Sequence, residues 1–202
     1  AVTADGVLRA PLYAGELTTS MAFDVLSMGV GEAGSAGFPL VSCYLTGKEL
    51  RAVAEVDASV TPLMPAAQLY TAGMSYSFNT HRVPFNRMTG VWLTGEKTAA
   101  QAEKHTETET WKNELENDRL YRVVTGLYTG QMLGTVNDQS FGILAITPKD
   151  AQGNVITDYE EHIIYNPNGS EVKEWYALAS YLQSMGEVDG RYAAPEGRKV
   201  EH

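Results

Sequence analysis

An apolar run that ends on Thr-x-x-Glu leaves a chain little freedom, because it sets both where a strand stops and where a helix begins. Pro39 to Leu45 has strand composition, and Thr46-Gly47-Lys48-Glu49 follows it directly. In such a capping box the threonine hydroxyl accepts the amide of the glutamate. The glutamate reaches back to the amide of the threonine, so two orphaned donors are satisfied together. Leu45 and Leu50 flank the box as a hydrophobic staple. The spacing then predicts a helix from Gly47 to about Ala58, with Leu50, Val53 and Ala54 on one face. Val56 widens that stripe, and Asp57, seven past Leu50, interrupts it near the helix end.

The other elements must supply the surface on which this unit packs. Thr18 caps a short helix through Leu26, and Gly29 to Gly37 reads as a mobile loop. Leu69 to Phe78 and Asn86 to Thr94 are strand-like on either side of Asn79-Thr80-His81-Arg82, which predicts an antiparallel hairpin. Glu96 to Asp118 is charged and weakly amphipathic, as in a surface helix or long excursion. Leu120 to Thr125 reads as a buried strand, Gly126 to Gly134 as a short helix and Phe141 to Thr147 as another strand. Ser170 is placed to cap a last helix carrying Val172, Trp175, Leu178, Ala179, Leu182 and Met185 on one face, with Gly186 as its left-handed stop. Helices and strands alternate irregularly around at least one hairpin. The expected fold is therefore α+β (mixed α/β), with several packed helices, rather than a doubly wound parallel sheet.

Several chemistries are disfavoured by counting. Cys43 is the only cysteine, so neither an internal disulfide nor a cysteine zinc site can form. A formal charge of −10 opposes nonspecific nucleic-acid binding, and no stretch is long and apolar enough for a membrane helix. Tyr159-Glu160-Glu161-His162 groups two carboxylates and an imidazole, but adjacent positions do not converge on one ion, so a solvated turn is expected. Ser42 and Cys43 lack a nucleophile elbow and read as buried packing. Gly29 to Gly37 lacks the Gly-Lys-Ser/Thr ending of a phosphate-binding loop.

Gly6-Val7-Leu8-Arg9, Ala14-Gly15-Glu16-Leu17-Thr18, Leu40-Val41 and Leu45 to Leu50 stand in a definite order. Gly73 to Tyr76, Asn86-Arg87, Tyr121 to Thr125, the run from Tyr181 to Gly186 and Pro195 to Arg198 follow in turn. In order and spacing this series resembles the 5′-nucleotidase C-terminal domain family. The resemblance implies one such domain over 1–202, recognition of a nucleotide or nucleoside phosphate as the substrate of a phosphoesterase that hydrolyses nucleotide phosphate esters, and an N-terminal metallophosphoesterase domain of the same polypeptide that is absent from this chain. Divalent metal ions are expected in that missing domain and none in this chain, which is expected to be inactive alone. The opening residues suggest an N-terminus cut within a larger protein. An extracellular, cell-surface or periplasmic setting is implied by the resemblance only.

Carried over by position, Arg9 takes the place of the family's loop arginine and is the candidate anion contact, since guanidinium meets phosphate oxygens in bidentate fashion. Gly6 would let backbone approach closely. Phe141 falls near the second base-stacking aromatic, and Met28 stands where the first is expected, with a thioether in place of a ring. Ala4 occupies the position of a base-contacting asparagine, and Asn137-Asp138-Gln139-Ser140 replaces a glycine-rich approach to the second aromatic. For Arg9 the alternative is a solvated cation, for Phe141 a core ring and for Met28 simple packing. For the whole domain the alternative is a degenerate binding or cell-surface interaction module that keeps the fold without nucleotide binding.

Overall fold

A computed structural model describes residues 1–32, 34–94, 113–139, 144–188, 190–192 and 197–202. The strands are β1 (Val2–Ala4), β2 (Leu40–Thr46), β3 (Leu69–Thr71), β4 (Met74–Phe78), β5 (Met88–Leu93), β6 (Asn113–Glu114), β7 (Leu120–Gly126) and β8 (Lys199–Glu201). The helices are α1 (Thr19–Val25), α2 (Gly47–Val60), α3 (Leu127–Gln139) and α4 (Glu174–Met185). Among the described residues these strands form two four-stranded mixed sheets, in the orders β2-β7-β1-β3 and β6-β5-β4-β8. This is the mixed α/β class expected from the sequence.

The capping box forms as its spacing requires. The Glu49 amide donates to Thr46 Oγ1 at 3.2 Å, and the Thr46 amide donates to Glu49 Oε2 at 2.7 Å. The other carboxylate oxygen accepts from Lys149 Nζ at 2.6 Å and from the Thr147 amide at 3.0 Å. Burial alone would raise the Glu49 pKa, but hydrogen bonds from Lys149, Thr46 and Thr147 outweigh it and hold the carboxyl below its usual value. One local motif thus also anchors a segment 100 residues away.

Helix α2 presents Leu50, Val53, Ala54 and Val56 to a core shared with β2, β4, β5 and β7. Its acidic residues tie the second sheet to the first. Glu55 accepts the amides of Arg87 and Met88, at 2.7 and 2.8 Å, and so fixes the start of β5. Asp57 does more than interrupt the apolar stripe. Buried at 4% exposure, it accepts the Leu69 amide and the Tyr76 hydroxyl, both at 2.6 Å, and pairs with Lys199 at 2.8 Å.

The expected hairpin is β4 against β5, antiparallel from Met74↔Leu93 to Phe78↔Met88. The run Leu69 to Phe78 is two strands, however. Gly73, at φ +83°, breaks it so that β3 joins the first sheet and β4 the second. Most of Glu96 to Asp118 and the start of Phe141 to Thr147 fall outside the described residues. Leu144 to Thr147 forms no strand, and Lys149 then exchanges backbone hydrogen bonds with Tyr44 at 2.8 and 3.0 Å.

Thr18 caps α1 as expected, its hydroxyl accepting the Met21 amide at 3.3 Å. Ser170 does not cap α4, which starts four residues later. Its hydroxyl is taken by Asn168 Oδ1 at 2.7 Å in a tight turn, and Glu171 and Lys173 make extended bridges to Tyr165 and Pro39. The segment Gly29 to Gly37 closes on itself as a small hairpin, with a Val30↔Ala36 bridge and a Gly37 amide to Gly29 carbonyl bond of 2.8 Å. Gly31 lies directly against the Glu171 carboxyl and the Lys173 ammonium, where any side chain would collide with that pair.

Candidate functional site

Strand β1 holds the N-terminal loop from both sides, pairing antiparallel with β3 and parallel with β7 through Val2↔Thr125. A 3₁₀ turn over Asp5–Val7 follows and buries Val7 at 1% exposure. The Asp5 carboxylate accepts the Tyr70 hydroxyl at 2.8 Å. A Cβ on Gly6 would lie 3.0 Å from the Ala66 carbonyl, so the close approach at this glycine is made by the chain's own 65–67 turn. Beyond the turn, the Arg9 amide donates to the Val25 carbonyl at the end of α1 at 2.8 Å. Its side chain is exposed, and no hydrogen bond or ion pair engages the guanidinium among the described residues.

That backbone bond brings together two segments that sequence reasoning linked only by analogy. Met28, half-buried, lies three residues beyond Val25, between α1 and the glycine hairpin. Next to it, the Phe38 ring packs on Gly29 and stacks on Tyr128 with centroids 5.7 Å apart and an interplanar angle of 18°. Tyr128 belongs to the first turn of α3 and is 40% exposed. Phe141, the other expected aromatic, lies outside the described residues.

Sequence reasoning missed Phe38 and Tyr128. Phe38 precedes a strand and Tyr128 follows one, and only the β2–β7 pairing, with Leu40 opposite Gly126, makes them neighbours. It also missed Glu174, whose amide donates to the Phe38 carbonyl at 3.1 Å and whose carboxyl rests against Gly126. Burial pushes that carboxyl up to about 7. Arg9 thus offers an unengaged cation next to the end of α1, and Phe38 and Tyr128 offer a stacked aromatic pair beside Gly29. A guanidinium can hold an anion, and an exposed ring face can hold a planar group.

The other singled-out groups form no second centre. Cys43 is fully buried, and burial, with the Glu49 charge second, pushes its thiol up to about 11, far from a nucleophilic thiolate at neutral pH. Ser42 is half-exposed rather than buried, and its hydroxyl accepts from Arg122 Nε at 2.8 Å. Glu160 and Glu161 are exposed on a 3₁₀ turn. Among the described residues no group of three His, Cys, Asp or Glu side chains could hold a metal ion, so these residues do not fit a divalent centre.

No curated protein matches the chain in sequence. Its fold is similar to that of a 5′-nucleotidase precursor from Thermus thermophilus, with a TM-score of 0.64 and 22% identity over 99% of this chain and 31% of that one. It is also similar to an NAD nucleotidase from Haemophilus influenzae, with a TM-score of 0.60 and 17% identity over 100% of this chain and 29% of that one. The chain therefore spans about a third of the length of these structures. The family model for the 5′-nucleotidase C-terminal domain matches residues 1–137, well over half of the sequence, and the protein accordingly belongs to that family.

Proposed function

We propose that the protein is the substrate-recognition part of a 5′-nucleotidase-type phosphoesterase, gripping a nucleotide or nucleoside phosphate for hydrolysis by an N-terminal metallophosphoesterase domain of the same polypeptide. The observation that carries this reading is the exposed, unengaged guanidinium of Arg9 on a loop hydrogen-bonded to the end of α1. In this reading Arg9 meets the phosphate, Met28 and Phe141 face the base, and Gly6 keeps the loop close to its support. The exposed side of Tyr128 adds a ring that can stack on a base. Divalent ions belong to the catalytic domain, where they would activate water and clamp the phosphoryl group. An extracellular, cell-surface or periplasmic location goes with the parent enzyme. No described helix is long and apolar enough to cross a membrane.

The second reading is a degenerate module that keeps the architecture without nucleotide binding. Ala4 favours it, because this residue lies in β1 opposite Leu69 and offers no side-chain hydrogen bond to a base. Calorimetric titration of the 202-residue protein with AMP separates the two. Salt-sensitive binding that weakens at least about tenfold, or about 1.4 kcal/mol, in Arg9→Ala supports recognition. No binding at millimolar AMP supports the degenerate module. Metal-dependent phosphate release from AMP by these 202 residues alone would refute the division of labour.

A further inference from the structure

A cleft of about 880 Å³ opens between the glycine hairpin, the turn from Tyr165 to Glu171 and the first turn of α4. Arg9, Gly6 and Met28 do not line it. Its charge pattern sets it apart from a phosphate site. Lys173 pairs with Glu171 at 2.5 Å, with side chains 6% and 3% exposed, and donates again to the Ser35 carbonyl at 3.1 Å. The lysine is thereby committed within the protein. Glu32, whose carboxylate accepts the Tyr165 hydroxyl at 3.4 Å, adds a negative charge that no cation pairs with among the described residues, so a phosphate meets repulsion here.

The remaining lining is aromatic and amide. Tyr165 and Tyr176 are 48% and 46% exposed. Trp175 is held rigidly between Phe23 and Tyr176, edge-on to each at 5.8 and 5.9 Å, with its indole N–H donating to the Ala36 carbonyl at 3.3 Å. In the turn, Asn166 Nδ2 donates to Ser170 Oγ at 3.2 Å, and Asn168 Oδ1 accepts the Ser170 amide and hydroxyl at 3.0 and 2.7 Å. These bonds fix both asparagines while using one end of each amide. Asn166 Oδ1 remains as an acceptor and Asn168 Nδ2 as a donor, beside the Glu32 carboxylate.

Fixed amide donors and acceptors beside exposed aromatic faces, with no free cation in the lining, suit a ligand that is uncharged, rich in hydroxyls that both donate and accept, and apolar on one face. We propose that this cleft binds a neutral pyranose sugar, with its C–H face on an exposed tyrosine ring and its hydroxyls on Asn166, Asn168 and Glu32. The site is independent of the nucleotide reading above.

The test follows the Trp175 indole N–H in two-dimensional ¹⁵N NMR spectra, assigned with Trp175→Phe, while cellobiose, lactose and N,N′-diacetylchitobiose are added to the 202-residue protein. A saturable shift with at least one of them is expected, with a dissociation constant on the order of 1 mM. Tyr165→Ala and Asn168→Asp, both at exposed positions, should each weaken it at least about tenfold at unchanged thermal midpoint, since aspartate keeps the acceptor for Ser170 and removes the Nδ2 donor, whereas Arg9→Ala should leave it intact. The proposal falls if no disaccharide moves the Trp175 signal. It also falls if the shift survives both cleft substitutions, or if AMP moves the signal in an Arg9-dependent manner, which would assign the cleft to the nucleotide.

Discussion

Replacing Glu174 with glutamine should make the protein more stable at alkaline pH and leave it nearly unchanged near pH 4.5. Glu174 is 7% exposed at the start of α4, and its carboxyl rests on Gly126 with no hydrogen bond to it among the described residues. Burial therefore acts unopposed and raises its pKa from 4.5 to about 7. A carboxyl raised in this way costs nothing while both folded and unfolded chains are protonated. As pH climbs past 4.5 the unfolded chain gains by ionising and the folded one does not, and the penalty is complete only above about 7. At about 1.4 kcal/mol per unit, the full penalty is about 3.5 kcal/mol. Between about pH 5 and 8.5 roughly 2.5 kcal/mol of it should develop. Glu49, whose pKa is lowered, acts in the opposite sense and below this window. Urea unfolding of both proteins at half-unit pH steps gives the comparison. The stability difference in favour of Glu174→Gln should widen steadily with pH. Curves that stay parallel within about 0.5 kcal/mol would show that the carboxyl ionises freely and that its burial is not felt.

Two further substitutions probe the joints of the fold. Tyr76→Phe removes the hydroxyl that donates to Asp57 at 2.6 Å inside the core and should cost about 1–3 kcal/mol in urea unfolding. A loss under about 0.3 kcal/mol would mean that Lys199 and the Leu69 amide satisfy Asp57 unaided. Gly31→Ala forces a methyl group against the Glu171–Lys173 pair, and a destabilisation of about 1–3 kcal/mol by thermal melting is expected. An unchanged midpoint would show that the hairpin can lift off the pair.

The elements that the sequence announced are those whose cause lies within a few residues. Thr46 and Glu49 find each other because both sit on one turn of helix, and Thr18 caps α1 for the same reason. The β4–β5 hairpin follows from two strand-like runs around a polar break. Ser170 misled because its hydroxyl had a nearer partner in Asn168 than any helix amide. The glycine hairpin misled because composition registers the freedom of glycine and is blind to a buried ion pair 140 residues away that needs the space.

The candidate site divides along the same line. The family motifs singled out Arg9, Gly6, Met28 and Phe141 as candidates, and they supplied the expectation that a phosphorylated small molecule is gripped beside a ring. Nothing local could show that Phe38 stacks on Tyr128, that Glu174 is buried against Gly126, or that Asp57 joins β3, β4 and β8. Those contacts depend on which strands pair and in what register, a choice made by the shared core. By itself, then, the sequence determined the capped helices, the hairpin and the family. The tertiary structure decided which charges are buried, which rings meet and which cleft is left open, because each of these is a contact between residues far apart in the chain.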